Sequence, residues 1–376
     1  MEILFICGCL EPGRDGVGDY ARRLAIELIR QGHNTKLMSL NDKYISEQFD
    51  GNQQFEDSLL PTLRLPSVWP IDRRINHAKQ YIDEFNPDWL SIQFVVYSFH
   101  AKGLPFNINR LLTAIGENRK WHIMFHELGI GNNIGASRKD RLIGYIQKGI
   151  IKRLIARLKP LMIHTQTKLY QVQLKEMGVT SNFLPLFSNI PVLAVQHTKE
   201  NDLGAIILVV FGTIHPDSLF HEFAREAVSF SKANKVEIEL RIIGRSGNQL
   251  EAWISICQLE GLKYILLGEQ PPELISKELS NSTIGISTSD ILRIEKSGTV
   301  AAFLAHGLPV ICISKPWIPR SLPNFAGAPP EGVSQYKIGN IEACFGNKIN
   351  AINTSDISLT SEIFINDLLT QSSKVN

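Results

Sequence analysis

Apolar residues recur along this chain in two rhythms. Short, nearly unbroken apolar runs fall at residues 3–7, 89–96, 121–125 and 161–165, and 35–39 reads as a further strand. Runs of that length, bounded by polar or turn residues, predict strands buried on both faces. Longer stretches between them carry helical spacing. Over 19–31, Ala21, Leu24, Ala25, Leu28 and Ile29 fall at i, i+3, i+4, i+7 and i+8, and Gly32 is a natural stop. The same spacing predicts helices over 74–85, 108–115, 139–158 and 168–177. Strand and helix in alternation predict an open parallel sheet with helices on both faces.

The pattern pauses over 184–202, which holds Pro185, Pro191 and the polar run Lys199-Glu200-Asn201-Asp202. It then restarts, with strands over 205–211, 236–243, 264–267, 283–287 and 308–313, and helices over 219–232 and 246–259. The reading is an α/β protein of two tandem Rossmann-like, doubly wound domains, residues 1–192 and 203–355, joined near 190–203. A last segment, 356–376, carries a helix over 359–371 that would pack back on the first domain. A length of 376 residues suits two domains of about 100–200 residues each. Two such domains would face one another across an interdomain cleft. Ligands of doubly wound sheets bind outside the carboxyl ends of the strands, so the chemistry is sought in the loops that follow strands.

Composition narrows the class. Hydrophobic residues make up 44% and charged residues 20%, which excludes a disordered chain. No apolar run of about 18 residues exists to span a bilayer. Met1 to Cys9 reads as a first strand, since a secretory leader would have a basic start and a cleavage site. The cysteine count, 5, is odd, and Cys7-Gly8-Cys9 lacks the two-residue spacer of a zinc knuckle or redox pair. Reduced, mostly buried thiols in a cytoplasmic protein follow. The net charge of +2 is unevenly spread: residues 1–190 carry 24 Lys/Arg against 18 Asp/Glu, the remainder 15 against 19. A basic first half suits an anionic ligand or surface but falls far short of a nucleic-acid binder.

Three loops carry candidate chemistry. The first ends in Gly16-Val17-Gly18-Asp19-Tyr20-Ala21, the spelling of a dinucleotide-binding turn. Such a turn follows its strand at once, whereas residues 8–15 intervene here, so a nicotinamide-dependent dehydrogenase is set aside. Gly16 and Gly18 still open a helix, where bare N–H groups and the helix dipole favour an anion. The second is His126-Glu127, directly after a strand, where a histidine can hydrogen-bond a ligand hydroxyl or stabilise developing charge. No histidine follows at the helical spacing of a zinc site. The third runs from Ser287 to Thr299. Ser297 is an N-cap candidate, Gly298 and Thr299 offer free N–H groups to an anion, and Glu295 can accept from sugar hydroxyls. Each also has a structural reading: a loop needing positive φ, a buried structural histidine, an ordinary capped helix.

In order and spacing these pieces resemble the GT-B glycosyltransferases of the large retaining group 1 (family 4) type, over nearly the whole chain. Gly16-Val17-Gly18 through Gly32-His33 looks like that family's opening. His126-Glu127, His164-Thr165-Gln166, Gly244 and the stretch from Glu295 to Ala305-His306-Gly307-Leu308-Pro309-Val310 follow in the family's order. The resemblance implies an enzyme that moves a sugar from a nucleoside-diphosphate donor, as co-substrate, to a glycan, lipid-linked or small-molecule acceptor. It implies retention at the anomeric carbon and no bound metal or other cofactor. His126 and Glu295 would meet the donor sugar, while Gly16, Gly18, Ser297, Gly298 and Thr299 would approach the diphosphate. No D-x-D pair is present to hold a divalent cation, so helix dipoles and side-chain cations would stabilise the leaving diphosphate.

The chain departs from that family in two places. The glutamate that usually holds the ribose falls at Ala302. Thr213 and Ser218 stand where Arg and Lys are expected after the first strand of the second domain. Arg245, Arg293 or Lys296 would replace the missing charge, with Arg245 the first choice. These departures motivate an alternative, a binding or regulatory protein on the same fold that has lost catalysis. Finally, Lys148, Lys152, Arg153, Arg157 and Lys159 thread through the apolar residues of 143–159. A basic amphipathic helix of this kind can lie on an anionic membrane, which would suit a lipid-linked acceptor at the inner membrane face, or it can simply cover the sheet.

Overall fold

The structure is a computed structural model that describes residues 1–55, 58–193, 204–346 and 356–375. The chain divides into two units. Unit 1 comprises Met1–Leu184, Ile318–Phe325 and Ile357–Asn376, and unit 2 comprises Pro185–Trp317 and Ala326–Asp356. The join expected near 190–203 lies largely outside the described residues.

Unit 1 begins β1 (Glu2–Cys7), α1 (Gly16–Arg30), β2 (Asn34–Asp42), β3 (Phe49–Phe55), β4 (Ser58–Pro66), α2 (Ile71–Phe85), β5 (Trp89–Phe94) and α3 (Val96–Phe99). It continues α4 (Ile108–Ile115), β6 (Lys120–Phe125), α5 (Arg138–Leu158), β7 (Met162–Thr165), α6 (Lys168–Glu176) and β8 (Asn182–Phe183). The sheet order is β3-β4-β2-β1-β5-β6-β7-β8, parallel throughout except for β3 against β4. That antiparallel pair was not anticipated. Its outer strand, Asp50-Gly51-Asn52-Gln53-Gln54, is polar and largely exposed at the sheet edge, so it carries no apolar signature. The run expected over 89–96 stops at Phe94 because Val96 opens the short α3.

The even-numbered positions Leu4 and Ile6 of β1, with Leu90, Ile92 and Phe94 of β5 and Ile123 and Phe125 of β6, face a core shared with α2, α4 and α5. Strand alternation sends Phe5, Ser91, Gln93 and His122 to the opposite face.

Unit 2 contains β9 (Ile206–Phe211), α7 (Phe220–Asn234), β10 (Ile238–Ile243), α8 (Leu250–Glu260), β11 (Lys263–Gly268), α9 (Pro272–Ser280), β12 (Ile284–Ser287), α10 (Gly298–Ala305), β13 (Val310–Cys312), β14 (Val333–Gln335) and α11 (Ile341–Phe345). Its sheet runs β11-β10-β9-β12-β13-β14, every pair parallel. Leu208 and Val210 enter one core and Val209 the other, so the sheet is covered on both faces. The helix expected over 246–259 begins later: Gly247–Gln249 forms a 3-10 turn before α8. Helix α9, opened by Pro272, was not anticipated.

The chain then returns to unit 1 as α12 (Ile357–Val375). Phe364, fully buried, stacks on Phe5 with ring centroids 5.9 Å apart and meets His122 edge-on at 5.1 Å. Gln31 Nε2 donates to Ser361 Oγ across 2.6 Å. Helix α12 therefore covers the face opposite α2, α4 and α5.

In each sheet the strand order reverses beside one central strand. β1 has β2 on one side and β5 on the other, and β9 has β10 and β12. These switch points leave room for a ligand at the carboxyl ends, where the loops after β1, β9 and β12 hold candidate residues, with His126 after β6 and Arg245 after β10 at the same ends of their sheets.

Candidate functional site

In unit 1 the helix start that sequence offers to an anion is already occupied. Asp15 Oδ1, at the N-cap of α1, accepts from the backbone N–H groups of Val17 and Gly18, both at 3.0 Å. A carboxylate there uses the helix dipole that would have favoured a phosphate. Gly18 has a packing role: a Cβ on it would stand 2.9 Å from the carbonyl oxygen of Cys9. Gly16, by contrast, has open space around it. One turn on, Arg22 is fully buried, pairs with Asp19 at 2.7 Å and donates to the Leu10 carbonyl. Burial holds the Asp19 carboxyl above the usual carboxylate range, against the opposing pull of Arg22.

His126 follows β6 directly, and its own N–H donates to the Phe94 carbonyl, extending the sheet ladder by one residue. The ring is buried. Its Nδ1 lies 3.1 Å from Gln166 Oε1 and its Nε2 lies 2.9 Å from Gln93 Oε1. Gln93 belongs to β5 and Gln166 follows β7, so the strands flanking β6 hold the ring from both sides. Tyr20 of α1 meets it edge-on at 5.0 Å. His126 thus lies beside the first turns of α1, and the structure brings together the candidate residues of unit 1. In the sequence Gln166 and Tyr20 stand out only as parts of motifs, and Gln93 not at all. Gln93 lies within a regular strand with nothing local to mark it.

The loop after His126 is pinned to α5. Gln147, buried in that helix, accepts from the Ile130 N–H at 2.9 Å and donates to the Gly103 carbonyl at 3.1 Å. A Cβ on Gly144 would lie 2.0 Å from the Ile130 carbonyl oxygen, so glycine lets this loop and helix meet.

In unit 2 the loops after β9 and β12 come together. The His215 N–H donates to Thr288 Oγ1 at 2.9 Å. Gly212 and Gly244, at the ends of β9 and β10, both take positive φ, and a Cβ on Gly244 would press on the Gly212 backbone at 3.4 Å. A Cβ on Gly212 would sit 3.6 Å from Thr299 Oγ1, which places the β9 loop beside the start of α10. Ser297 caps α10, its Oγ accepting from Val300 N at 3.4 Å and from Ser289 Oγ at 3.2 Å. Gly298 and Thr299 are its first residues, whose N–H groups have no intrahelical acceptor. The space a side chain would take at Gly298 is open.

Glu295 and Lys296, both half-buried, lie on the 3-10 turn Ile291–Lys296 just before this cap. Arg293 on the same turn is braced by Asp290 at 2.6 Å and lies over the Trp317 ring at 4.4 Å. His215 is held below its ordinary pKa, first by burial and then by the positive charges of Arg293 and Lys296. Those two cations therefore bear on the loop where Thr213 and Ser218 bring none. Arg245, the first choice from sequence, instead forms an exposed pair with Glu269 at 3.2 Å. Ala302 is fully buried in the core beneath α10. Among the described residues no cluster of three or more His, Cys, Asp or Glu is placed to hold a metal ion, and the five cysteines are free and buried.

No family model and no curated protein matches this sequence. Solved structures match along its full length. The apo form of the lipopolysaccharide outer core galactosyltransferase WaaB shares 15% identity, with 100% of both chains covered and a TM-score of 0.54. Anabaena HepE in complex with UDP and glucose shares 13%, covers 100% of both chains and gives a TM-score of 0.61. A glycosyltransferase from Rickettsia africae shares 15%, over 100% of this chain and 97% of that one, with a TM-score of 0.60. At these identities the likeness establishes the fold: the chain has the two-domain GT-B architecture of the glycosyltransferases.

Proposed function

We propose that this protein is a glycosyltransferase that takes a sugar from a nucleoside-diphosphate donor and passes it to an acceptor hydroxyl, with retention and without a bound metal. The observation that carries the reading is in unit 2. At its switch point an open helix start, Ser297-Gly298-Thr299, stands beside a glycine-lined loop, with Arg293 and Lys296 adding positive charge. Unpaired N–H groups with two cations nearby suit a diphosphate. The likeness to a fold solved with UDP and glucose supports the same reading.

In the transfer, the bond between the anomeric carbon and the β-phosphate oxygen breaks, and its electron pair leaves with the diphosphate. The acceptor oxygen bonds to the anomeric carbon on the same face, and its proton passes to the departing phosphate oxygen. Unit 2 stabilises the charge that develops on the diphosphate. Glu295 accepts from hydroxyls of the transferred sugar. We assign His126 of unit 1 as a hydrogen-bond donor to substrate, one of its ring nitrogens exchanging a glutamine partner for it. Gly16 leaves room for the approach, while Gly18 serves the packing of α1. The alternative, a non-catalytic protein on this fold, rests on Ala302, Thr213 and Ser218, and the cations of the β12–α10 loop weaken it.

The acceptor we place at a membrane surface, on the cytoplasmic side, in glycan assembly. Helix α5 buries Gln147, Ile150, Ile151, Leu154 and Leu158 and turns Lys148, Lys152, Arg153 and Arg157 outward. Leu142 is exposed on the same helix, and Tyr145 and Phe106 are exposed around a groove of 590 Å³ between α4 and α5. Exposed apolar side chains framed by lysine and arginine suit an anionic lipid surface. Among the described residues no helix is long and apolar enough to cross a membrane.

The test is calorimetry with a panel of nucleoside diphosphates, followed by transfer assays with the matching nucleotide sugars. One nucleotide should bind, and His126→Ala should lower transfer by about 100-fold or more while the protein stays folded. Failure of every nucleotide to bind would reject the transferase reading and favour the alternative.

A further inference from the structure

His126 does not end at its two glutamines. From Gln93 a line of buried polar groups crosses the α12 face of unit 1. Gln93 Nε2 donates to Ser91 Oγ at 2.9 Å, Ser91 Oγ lies 2.8 Å from His122 Nδ1, and His122 Nε2 lies 3.0 Å from His164 Nδ1. His164 Nε2 lies 2.8 Å from Asp367 Oδ2 on α12, which also accepts from Asn182 Nδ2 at 2.9 Å. Ser91, His122 and His164 are fully buried, and Gln93 is 1% exposed. Phe364 lies edge-on to His122 and tilted over His164. An apolar ladder would fill this face at lower desolvation cost.

We propose that Asp367 is a positioning residue for His126: through this chain of hydrogen bonds it fixes which ring nitrogen of His126 carries the proton. The proposal rests on the reading of His126 as a group that meets the substrate.

The direction of the chain follows from its acidic end. The Asp367 carboxylate can only accept, so His164 donates Nε2–H and, as a neutral ring, leaves Nδ1 as an acceptor. His122 must then donate from Nε2, which leaves its Nδ1 to accept from the Ser91 hydroxyl. Ser91, having donated, accepts from the Gln93 amide nitrogen. That sets the Gln93 oxygen toward His126, whose Nε2 must carry hydrogen. With His164 neutral, each step leaves one choice, and the last makes His126 the Nε2–H tautomer with its lone pair at Nδ1. The Gln166 amide nitrogen is buried without a partner. An amide turned in place presents that N–H to Nδ1, and turned back it accepts from Nδ1 if the ring takes up a proton. A proton taken up by His126 is therefore received at Nδ1. Buried as it is, His122 favours its neutral form, its pKa held well below the ordinary value by burial first and then by the neighbouring His164 and His126.

The experiment reads the tautomer directly, by long-range proton–nitrogen correlation on the full chain labelled with 15N-histidine, His126 being assigned by the signal lost in His126→Gln. The wild type should show His126 protonated at Nε2 and bare at Nδ1. Asp367→Ala, which removes the acceptor, and Ser91→Ala, which cuts the chain inside the sheet, should each give a mixed tautomer at His126. Asp367→Asn, whose side-chain oxygen still accepts from His164, should restore the wild-type pattern. In transfer assays Asp367→Ala should lower kcat by about 10-fold or more with KM little changed, the low end of the scale on which outer hydrogen-bond partners act when they orient a metal-liganding histidine. A wild-type His126 protonated at Nδ1, or an unchanged His126 signal in whichever of the two cut variants stays folded, overturns the proposal. Full activity in His126→Ala overturns the catalytic reading instead, and leaves the spectra to decide the relay.

Discussion

Two helix starts show how one side chain decides what a site can take. Asp15 and Ser297 both cap helices, but the first does so with a carboxylate and the second with a hydroxyl. Asp15 makes the start of α1 poor for an anion, while Ser297 leaves α10 free to receive one. The identities of Asp15 and Ser297 stood in the sequence, and so did His126 at the end of an apolar run, because each works within a few residues of itself. The partner of Arg245 did not, since Glu269 meets it only through the pairing of β10 with β11. Sequence alone therefore could not show that Arg245 is paired, for a tertiary reason. The same geometry gives a residue-level expectation: Lys296→Ala should weaken nucleoside-diphosphate binding by about 10-fold, the loss of one charge-assisted contact of about 1.4 kcal/mol, whereas Arg245→Ala should leave it within about two-fold. Titration calorimetry of the two variants decides, and equal losses would return Arg245 to the site.

At the level of elements, legibility followed burial. Strands and helices that place a continuous apolar face in a core, such as β1, α1, β5 and β9, stood out in the residue pattern. The β3–β4 hairpin and α9 did not. The outer strand of the hairpin is polar and lies at an edge, and α9 is announced by little besides its prolines. Helix α5 has both kinds of face, with Ile150, Ile151 and Leu154 against the sheet and a basic outer surface. Each lysine close to an anionic bilayer contributes about 1 kcal/mol, so replacing both Lys148 and Lys152 by glutamine should reduce partition onto anionic phospholipid vesicles by about 30-fold and leave binding to neutral vesicles unchanged. Sedimentation with vesicles measures this, and identical partition of variant and wild type would leave α5 as a cover for the sheet alone.

At the level of the molecule, the polar ladder ties stability to pH. His122 is buried neutral, its pKa depressed below the ordinary 6.5 by burial first. The unfolded chain therefore binds a proton there that the folded chain refuses, and stability falls as the pH drops below about 6.5. The Asp367 carboxyl is also held below its ordinary value, first by its hydrogen bond with His164. Its contribution is present above the unfolded value near 3.8 and is lost as the pH falls through the lower folded value. Both groups thus weaken the fold on acidification, His122 first. The thermal midpoint should decline between about pH 7 and pH 5, and His122→Phe should flatten that decline. An equally steep decline in the variant would assign it elsewhere. No sequence pattern could have shown this coupling, because His164 and Asp367 stand 203 residues apart and meet only through the return of α12.

That return sets an order of events at the ribosome. Strand β8 ends at Phe183, yet Phe364, which covers the histidine face, is made only after all of unit 2 has been translated. At about 5–20 residues per second, the emerging first half waits about 10–40 s with that face open to water. A nascent chain stalled inside unit 2 would carry a half-built sheet whose polar ladder has no carboxylate to end on.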